Sequence, residues 1–140
     1  LYAGGGLFSC TIGRRFDRVV AVESAGLATE DFAHNAAGLD HITLHRGRVE
    51  EALEVVAKHP GATVVADPPR AGLGRKGVDV VVAASPERIV LVSCDPGSLG
   101  RDARLLAEAG YRLVEATPLD LFPQTFHVEV VSTFLPAEEG

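Results

Sequence analysis

Apolar residues recur along this chain with two periods. Short β-branched or aliphatic runs at Arg18–Glu23, Ile42–Leu44, Ala62–Ala66 and Arg88–Ser93 have strand length. Between them lie longer stretches in which apolar residues return every three or four positions, as on a helix. Ser24 stands where a helix cap is expected, and Leu27, Phe32 and Ala36 supply the apolar side of a helix reaching Gly38. Val49–Lys58 has helical spacing with Leu53, Val56 and Ala57 facing inward, and His59-Pro60-Gly61 ends it. Leu7–Gly13 can start a helix, and two more are predicted from about Val78 to Ala84 and from about Ser98 to Ala109. The opening Leu1-Tyr2-Ala3 reads as the stump of a strand running into the turn Gly4-Gly5-Gly6. Tyr111–Leu119 and His127–Leu135 are two closing strands with no helix between them.

Strands alternating with helices predict a Rossmann-like α/β sheet, mostly parallel and covered by helices on both faces. The closing pair adds an antiparallel strand at one edge, and the first strand is cut short. One domain over residues 1–140 is the expected organisation.

Composition narrows the class. With 46% hydrophobic and 23% charged residues, the chain is neither disordered nor collagen-like. No run reaches the ~18 apolar residues of a membrane span, and no signal-peptide pattern opens the chain. The expectation is a soluble, cytoplasmic protein without membrane contact. The chain has no methionine and begins at Leu1, so it is expected to be a piece of something longer. A net charge of -6 argues against a free-standing nucleic-acid module, so any grip on nucleic acid is expected to come largely from elsewhere. Cys10 and Cys94 are too few and too far apart for a disulfide scaffold or a zinc site, and no metal is expected.

In open α/β sheets ligands bind beyond the carboxyl ends of the strands. Glu23 ends its strand 17 positions after Gly6, placed to accept hydrogen bonds from the two hydroxyls of a ribose. Ser9 occupies the place of the third glycine in a dinucleotide fingerprint, which tilts the reading from NAD toward S-adenosylmethionine. Asp67-Pro68-Pro69-Arg70 fixes a strand exit in one conformation: a stiff structural loop, or a bracket that grips a planar group beside a cofactor. Cys94 follows a buried strand and precedes a helix start, whose partial positive charge favours an anion there. That context suits a nucleophile, whereas Cys10 reads as a core residue.

Asp67-Pro-Pro-Arg-Ala-Gly72, Ile89-Val-Leu-Val-Ser-Cys94-Asp-Pro-Gly-Ser98, Arg101-Asp102 and Asp120-Leu-Phe-Pro-Gln-Thr-Phe-His-Val-Glu129 together resemble the S-adenosylmethionine-dependent RNA 5-methyluridine methyltransferases. The resemblance covers essentially the whole chain and implies methylation of uridine carbon 5 in tRNA or ribosomal RNA through a covalent cysteine adduct. It implies Cys94 as nucleophile and Glu129 as proton acceptor, a role the sequence alone would not assign to an acid in an edge strand. It further implies Tyr2, Gly4, Gly6, Glu23 and Asp67 around the cofactor, Asp67, Pro68 and Arg70 around the uracil, and Phe122, Pro123 and His127 as supporting residues.

The chain departs from the family pattern at several places. Asp95 stands for the usual Asn, Leu91 for Tyr, Ser98 for Thr and Ala3 for Cys, while Leu7 and Arg48 occupy positions where polar and acidic residues usually meet the cofactor. The family's upstream glutamine, its RNA-binding β-barrel and the iron–sulfur cysteines of some members would all precede Leu1. Two other readings stay open on the residues. One is an amino-group methyltransferase, although Arg70 replaces the aromatic residue such enzymes place after Pro-Pro. The other is a non-catalytic remnant, which Leu7, Arg48 and Asp95 keep in view.

Overall fold

The structure, a computed structural model, describes residues 1–121, 123–125 and 128–137. Two compact units are present, Leu1–Ala52 and the chain from Leu53 onward.

In the first unit, β1 (Val19–Glu23) pairs in parallel with β2 (Ile42–Arg46), from Val19 opposite Ile42 to Glu23 opposite Arg46. Beside them the Ala3 amide donates to the Val22 carbonyl at 3.0 Å, a ladder-type bond from the expected strand stump. The helix predicted from Leu7 shortens to α1 (Leu7–Cys10), followed by a 3₁₀ turn over Ile12–Arg15.

Helix α2 (Gly26–Asn35) buries Thr29 and Phe32. Leu27, expected on the same side, is 80% exposed. It lies five positions from Phe32, which is about 140° around a helix of 3.6 residues per turn. Ser24 does not cap this helix: the cap position is Ala25, and no side chain bonds there. The predicted helix over Val49–Lys58 is instead a 3₁₀ turn at Val49–Glu51 and a short α3 (Leu53–Val56). Val49, Ala52 and Val56 are its buried positions, a stripe spaced three and four apart. Leu53 sits one residue off that stripe, and Leu53 and Ala57 face solvent.

The second unit holds a four-stranded sheet in the order β3-β4-β6-β5. Strands β3 (Thr63–Ala66) and β4 (Arg88–Ser93) run parallel. The final strand, β6 (Glu129–Pro136), returns antiparallel between β4 and β5 (Tyr111–Leu119). The reversed strand therefore lies one place in from the edge, and β5 forms the edge itself. Strand β5 carries a bulge between Leu113 and Glu115, and Pro118 stands within it.

Helix α4 (Gly74–Val82) begins four residues earlier than its apolar run, and α5 (Pro96–Glu108) two earlier than predicted. Strand β4 alternates strictly, burying Ile89, Leu91 and Ser93. Its register sets Ile89 opposite Phe134 and Leu91 opposite Ser132, and all four are inaccessible to solvent. With Val78, Val80 and Val81 of α4 and Leu105 and Leu106 of α5, they form the core of this unit. Each large aliphatic or aromatic side chain buried this way contributes about 1.5–3 kcal/mol.

Phe32 and Leu27 separate the core from the surface of α2. Phe32→Ala is expected to cost about 3–5 kcal/mol in urea unfolding, and Leu27→Ala to change stability by less than about 0.5 kcal/mol. Equal losses would contradict the observed phase of the helix.

Candidate active site

The first cluster of site residues is built around a carboxylate. Gly4 and Gly6 adopt φ of +53° and +93°, which turns the chain sharply after Ala3. A Cβ at Gly6 would lie 2.9 Å from Cys10 Sγ and 3.1 Å from the Phe32 ring, so this glycine lets the turn close on α1 and α2. At Gly4 a Cβ would meet nothing within 4 Å. The Gly4 amide donates to Glu23 Oε2 at 2.8 Å, while the Ser24 and Ala25 amides donate to Glu23 Oε1 at 2.7 Å each. Partial burial opposes the charge on Glu23, but the amides of Ala25, Gly4 and Ser24 outweigh it and hold the pKa below the ordinary 4.5. Glu23 thus does the work expected of Ser24, gathering the free amides ahead of α2 and tying them to the glycine turn.

Tyr2 lies beside this group, with φ of +56°, a backbone conformation uncommon outside glycine. Its hydroxyl donates to Glu50 Oε1 at 3.0 Å, and Arg48 Nε stands 3.5 Å from Glu50 Oε2. The pKa of Glu50 is held low by its own backbone amide, then by Tyr2 and Arg48, against partial desolvation. The cation at position 48 is therefore balanced locally.

These residues fit S-adenosylmethionine better than a pyrophosphate-bearing dinucleotide. The Gly4 amide is given to a carboxylate, and the Gly6 amide donates to the Ala3 carbonyl at 2.9 Å. Neither is left for a phosphate, and Glu23 would repel one. A carboxylate accepts about four hydrogen bonds, so with three in place Glu23 keeps capacity for a hydroxyl.

The second cluster lies at the carboxyl end of β4. Register pairs Ser93 with Val130, and the antiparallel sequence of pairs runs from Ile89 opposite Phe134 to that point. β4 ends at Ser93, so Cys94 follows its last paired residue and Glu129 opens β6 one position before Val130, at the same end of the strand pair. Both are half-buried. Asp95 caps α5: its side chain accepts from the Ser98 amide at 2.8 Å, and Ser98 Oγ donates to the Asp95 carbonyl at 3.0 Å. The Ser98 amide, the Ser98 hydroxyl and the nearby Arg70 guanidinium hold the Asp95 carboxyl below its ordinary pKa. Arg70 Nε is 3.9 Å from Asp95 Oδ1.

Asp67 follows β3, next to the buried Pro68. Desolvation raises its carboxyl above the ordinary 3.8. Beyond Arg70 the loop is held by a residue given no role in the sequence, Asp102, which is 1% exposed. It accepts from the Leu73 and Gly74 amides at 2.7 and 3.0 Å, and Arg101 joins it at 2.9 Å. The available signal was helical spacing, since Asp102 shares the inward side of α5 with Ser98, Leu105 and Leu106.

The structure thus groups Tyr2, Gly4, Gly6 and Glu23 in the first unit. In the second it groups Cys94, Glu129, Asp95 and Arg70, with Asp67 and Pro68 at the end of β3. Phe122 and His127 lie outside the described residues. Among the described residues no group of three or more His, Cys, Asp or Glu side chains is arranged to hold a metal ion. No helix among them is long and apolar enough to cross a membrane.

Solved structures share this architecture. A precorrin-6y C5,15-methyltransferase from Geobacter metallireducens superposes with a TM-score of 0.77 over 98% of this chain and 77% of its own, at 16% identity. The fold is that of the Rossmann-like methyltransferases. Nearer in sequence is the tRNA (uracil-54, C5)-methyltransferase of Pyrococcus abyssi, solved with S-adenosyl-L-homocysteine. It has a TM-score of 0.81 and 32% identity, covering 96% of this chain and 33% of that one. An uncharacterized RNA methyltransferase of Streptomyces coelicolor is 39% identical over all of this chain and 31% of its own length. Another, from Chlorobaculum tepidum, is 38% identical over 99% of this chain and 30% of its own. The family model described as tRNA (Uracil-5-)-methyltransferase matches residues 1–136, and the chain belongs to that family. It spans about a third of the length of the curated relatives it matches.

Glu23 has a depressed pKa, so its contribution to stability is present above the ordinary glutamate range and is lost as pH falls through it. Glu23→Gln is expected to lower stability by about 1–2 kcal/mol at neutral pH, allowing for partial exposure. The gap to wild type closes in acid, which thermal melts across a pH series would show. A gap that widened in acid would refute the assignment.

Proposed function

We propose that this chain carries the chemistry of an enzyme that methylates carbon 5 of a uridine in tRNA or ribosomal RNA, using S-adenosylmethionine. The observation that supports the reading is the β4–β6 register, whose last pair, Ser93 with Val130, leaves Cys94 and Glu129 at the same end of the two strands. S-adenosylmethionine, when bound, supplies a methyl group on an electrophilic sulfonium. Tyr2, Gly4, Gly6, Glu23 and Asp67 are assigned to holding it, with the remaining acceptor capacity of Glu23 directed at the ribose. Pro68 and Arg70, next to Asp67, are assigned to the uracil.

Carbon 5 of uracil is a weak nucleophile. Cys94, as thiolate, adds to carbon 6, and the electron pair of the carbon 5–carbon 6 double bond moves onto carbon 5 as an enolate. Carbon 5 would then take up the methyl group as its bond to the sulfonium broke, the electron pair of that bond staying on sulfur. Glu129 accepts the carbon 5 proton, the pair left behind re-forms the double bond, and Cys94 leaves as thiolate. Thiol and acid act at adjacent carbons of one ring, and residues at the same end of an antiparallel strand pair suit that requirement. An amino-group methyltransferase would need no such pair, and Arg70 stands where its stacking ring would be. The net charge of -6 supports assigning RNA affinity to other parts of the full-length protein.

In the full-length protein, Cys94→Ala is expected to reduce methyl transfer by about 10⁴-fold or more. RNA carrying 5-fluorouridine, which offers no proton to Glu129, should remain covalently attached to wild type and not to Cys94→Ala. Glu129→Gln should still form the adduct but turn over slowly. Full activity in Cys94→Ala would sink the mechanism.

A further inference from the structure

We propose that one face of α5 registers the two active-site loops against each other, with Asp102 and Arg101 as positioning residues; this rests on the methyl-transfer reading above. Asp95, Ser98 and Asp102 are spaced three and four positions apart and share one side of the helix. At the upper end of that face, Asp95 fixes the loop that begins at Cys94. Two turns further on, Asp102 holds the loop that begins at Asp67. Oδ2 of Asp102 accepts from Leu73 and Oδ1 from Gly74, while Arg101 Nη2 bridges Asp102 Oδ1 and the Ala71 carbonyl, at 2.9 and 2.5 Å. The Gly72 amide closes the turn on the Pro69 carbonyl at 2.7 Å.

Gly72 is required for this closure. Its φ is +76°, and a Cβ there would collide with Asp102 Oδ2 and Arg101 Nη2 and press tightly on Ser98 Cβ. Arg70, in the loop that Asp102 holds, has its Nε 3.9 Å from Asp95 Oδ1. Packing alone does not call for a carboxylate at position 102, because Leu105 and Leu106 serve that need on the same face. A buried acid is costly unless its acceptors are filled, and here they are filled by the loop and by Arg101. The arrangement makes the separation between the Asp67-Pro68-Pro69-Arg70 segment and Cys94 a property of one rigid helix.

The test uses the full-length protein. Asp102→Asn replaces one acceptor with an amide that faces a backbone N–H, so one loop bond is lost. The expected result is a fall of about 10²-fold in kcat, with an equal fall in the rate of adduct formation on 5-fluorouridine RNA. The Kd for S-adenosylmethionine and the KM for RNA stay near wild type. Arg101→Gln, which leaves both amides on Asp102, should show a smaller loss with the same split, and Arg101→Lys should recover part of it. A folded Asp102→Asn protein with wild-type kcat and only a lowered Tm overturns the proposal. If Asp102→Asn does not fold, unchanged kcat in Arg101→Gln overturns it. A wild-type protein that forms no adduct sinks the methyl-transfer reading itself, and that result is obtained without any substitution in α5.

Discussion

The pairing of β6 with β4 is the constraint on which the second unit depends. Side chains alternate across a strand, so a slip of one residue would turn Phe134 and Ser132 out of the core and draw Val131 and Thr133 in. The buried match of Ile89 with Phe134 therefore fixes the register along the whole pair. Hydrophobic burial at the middle of the sheet determines which residues face each other at its end. Cys94 and Glu129 owe their place at the same end of the pair to a core contact several residues away. The reversed direction of β6 matters equally, because only an antiparallel neighbour brings the first residue of one strand to the last of another.

A second regularity is the use made of acidic side chains. Glu23, Asp95 and Asp102 all direct carboxylates at backbone amides rather than at water. Each holds a turn or loop that leaves the end of a strand, where backbone donors have no sheet partner. Part of the chain's negative charge thus fastens the turns and loops that leave these strands. Glu50 does related work for a side chain, binding the Tyr2 hydroxyl and balancing Arg48. The departures at Arg48 and Asp95 lose much of their strangeness in these surroundings: one is paired, and the other caps a helix as an asparagine would.

Much of the fold was legible because strands such as Arg88–Ser93 and Tyr111–Leu119 are bounded runs of apolar and β-branched residues, and their limits match the structure. Phase within helices was less legible. Leu27 and Leu53 are apolar, yet each falls off the buried stripe, since the stripe depends on where the helix begins and on what lies opposite. Cys94 could be singled out from its place after a buried strand. Glu129 could not, because what brings it to the end of β4, 35 positions away from Cys94 along the chain, is a strand register that no local pattern reveals. Asp102 was quoted within a motif without a role; its acceptors are filled by a loop 28 and 29 residues earlier, which no local pattern reveals.

Strand β5 has a consequence of a different kind. Among the described residues it is the outer strand of its sheet, and Leu113 and Val114 on it are 50% and 40% exposed. A long, regular, apolar edge is a template on which other chains can add strands and grow into aggregates. The bulge at Leu113–Glu115 breaks the even spacing of its donors and acceptors, and Pro118 removes a donor outright. These two irregularities blunt the edge and make unwanted strand addition unfavourable. The same edge can then carry apolar side chains in the open without turning the protein into a seed for its own precipitation.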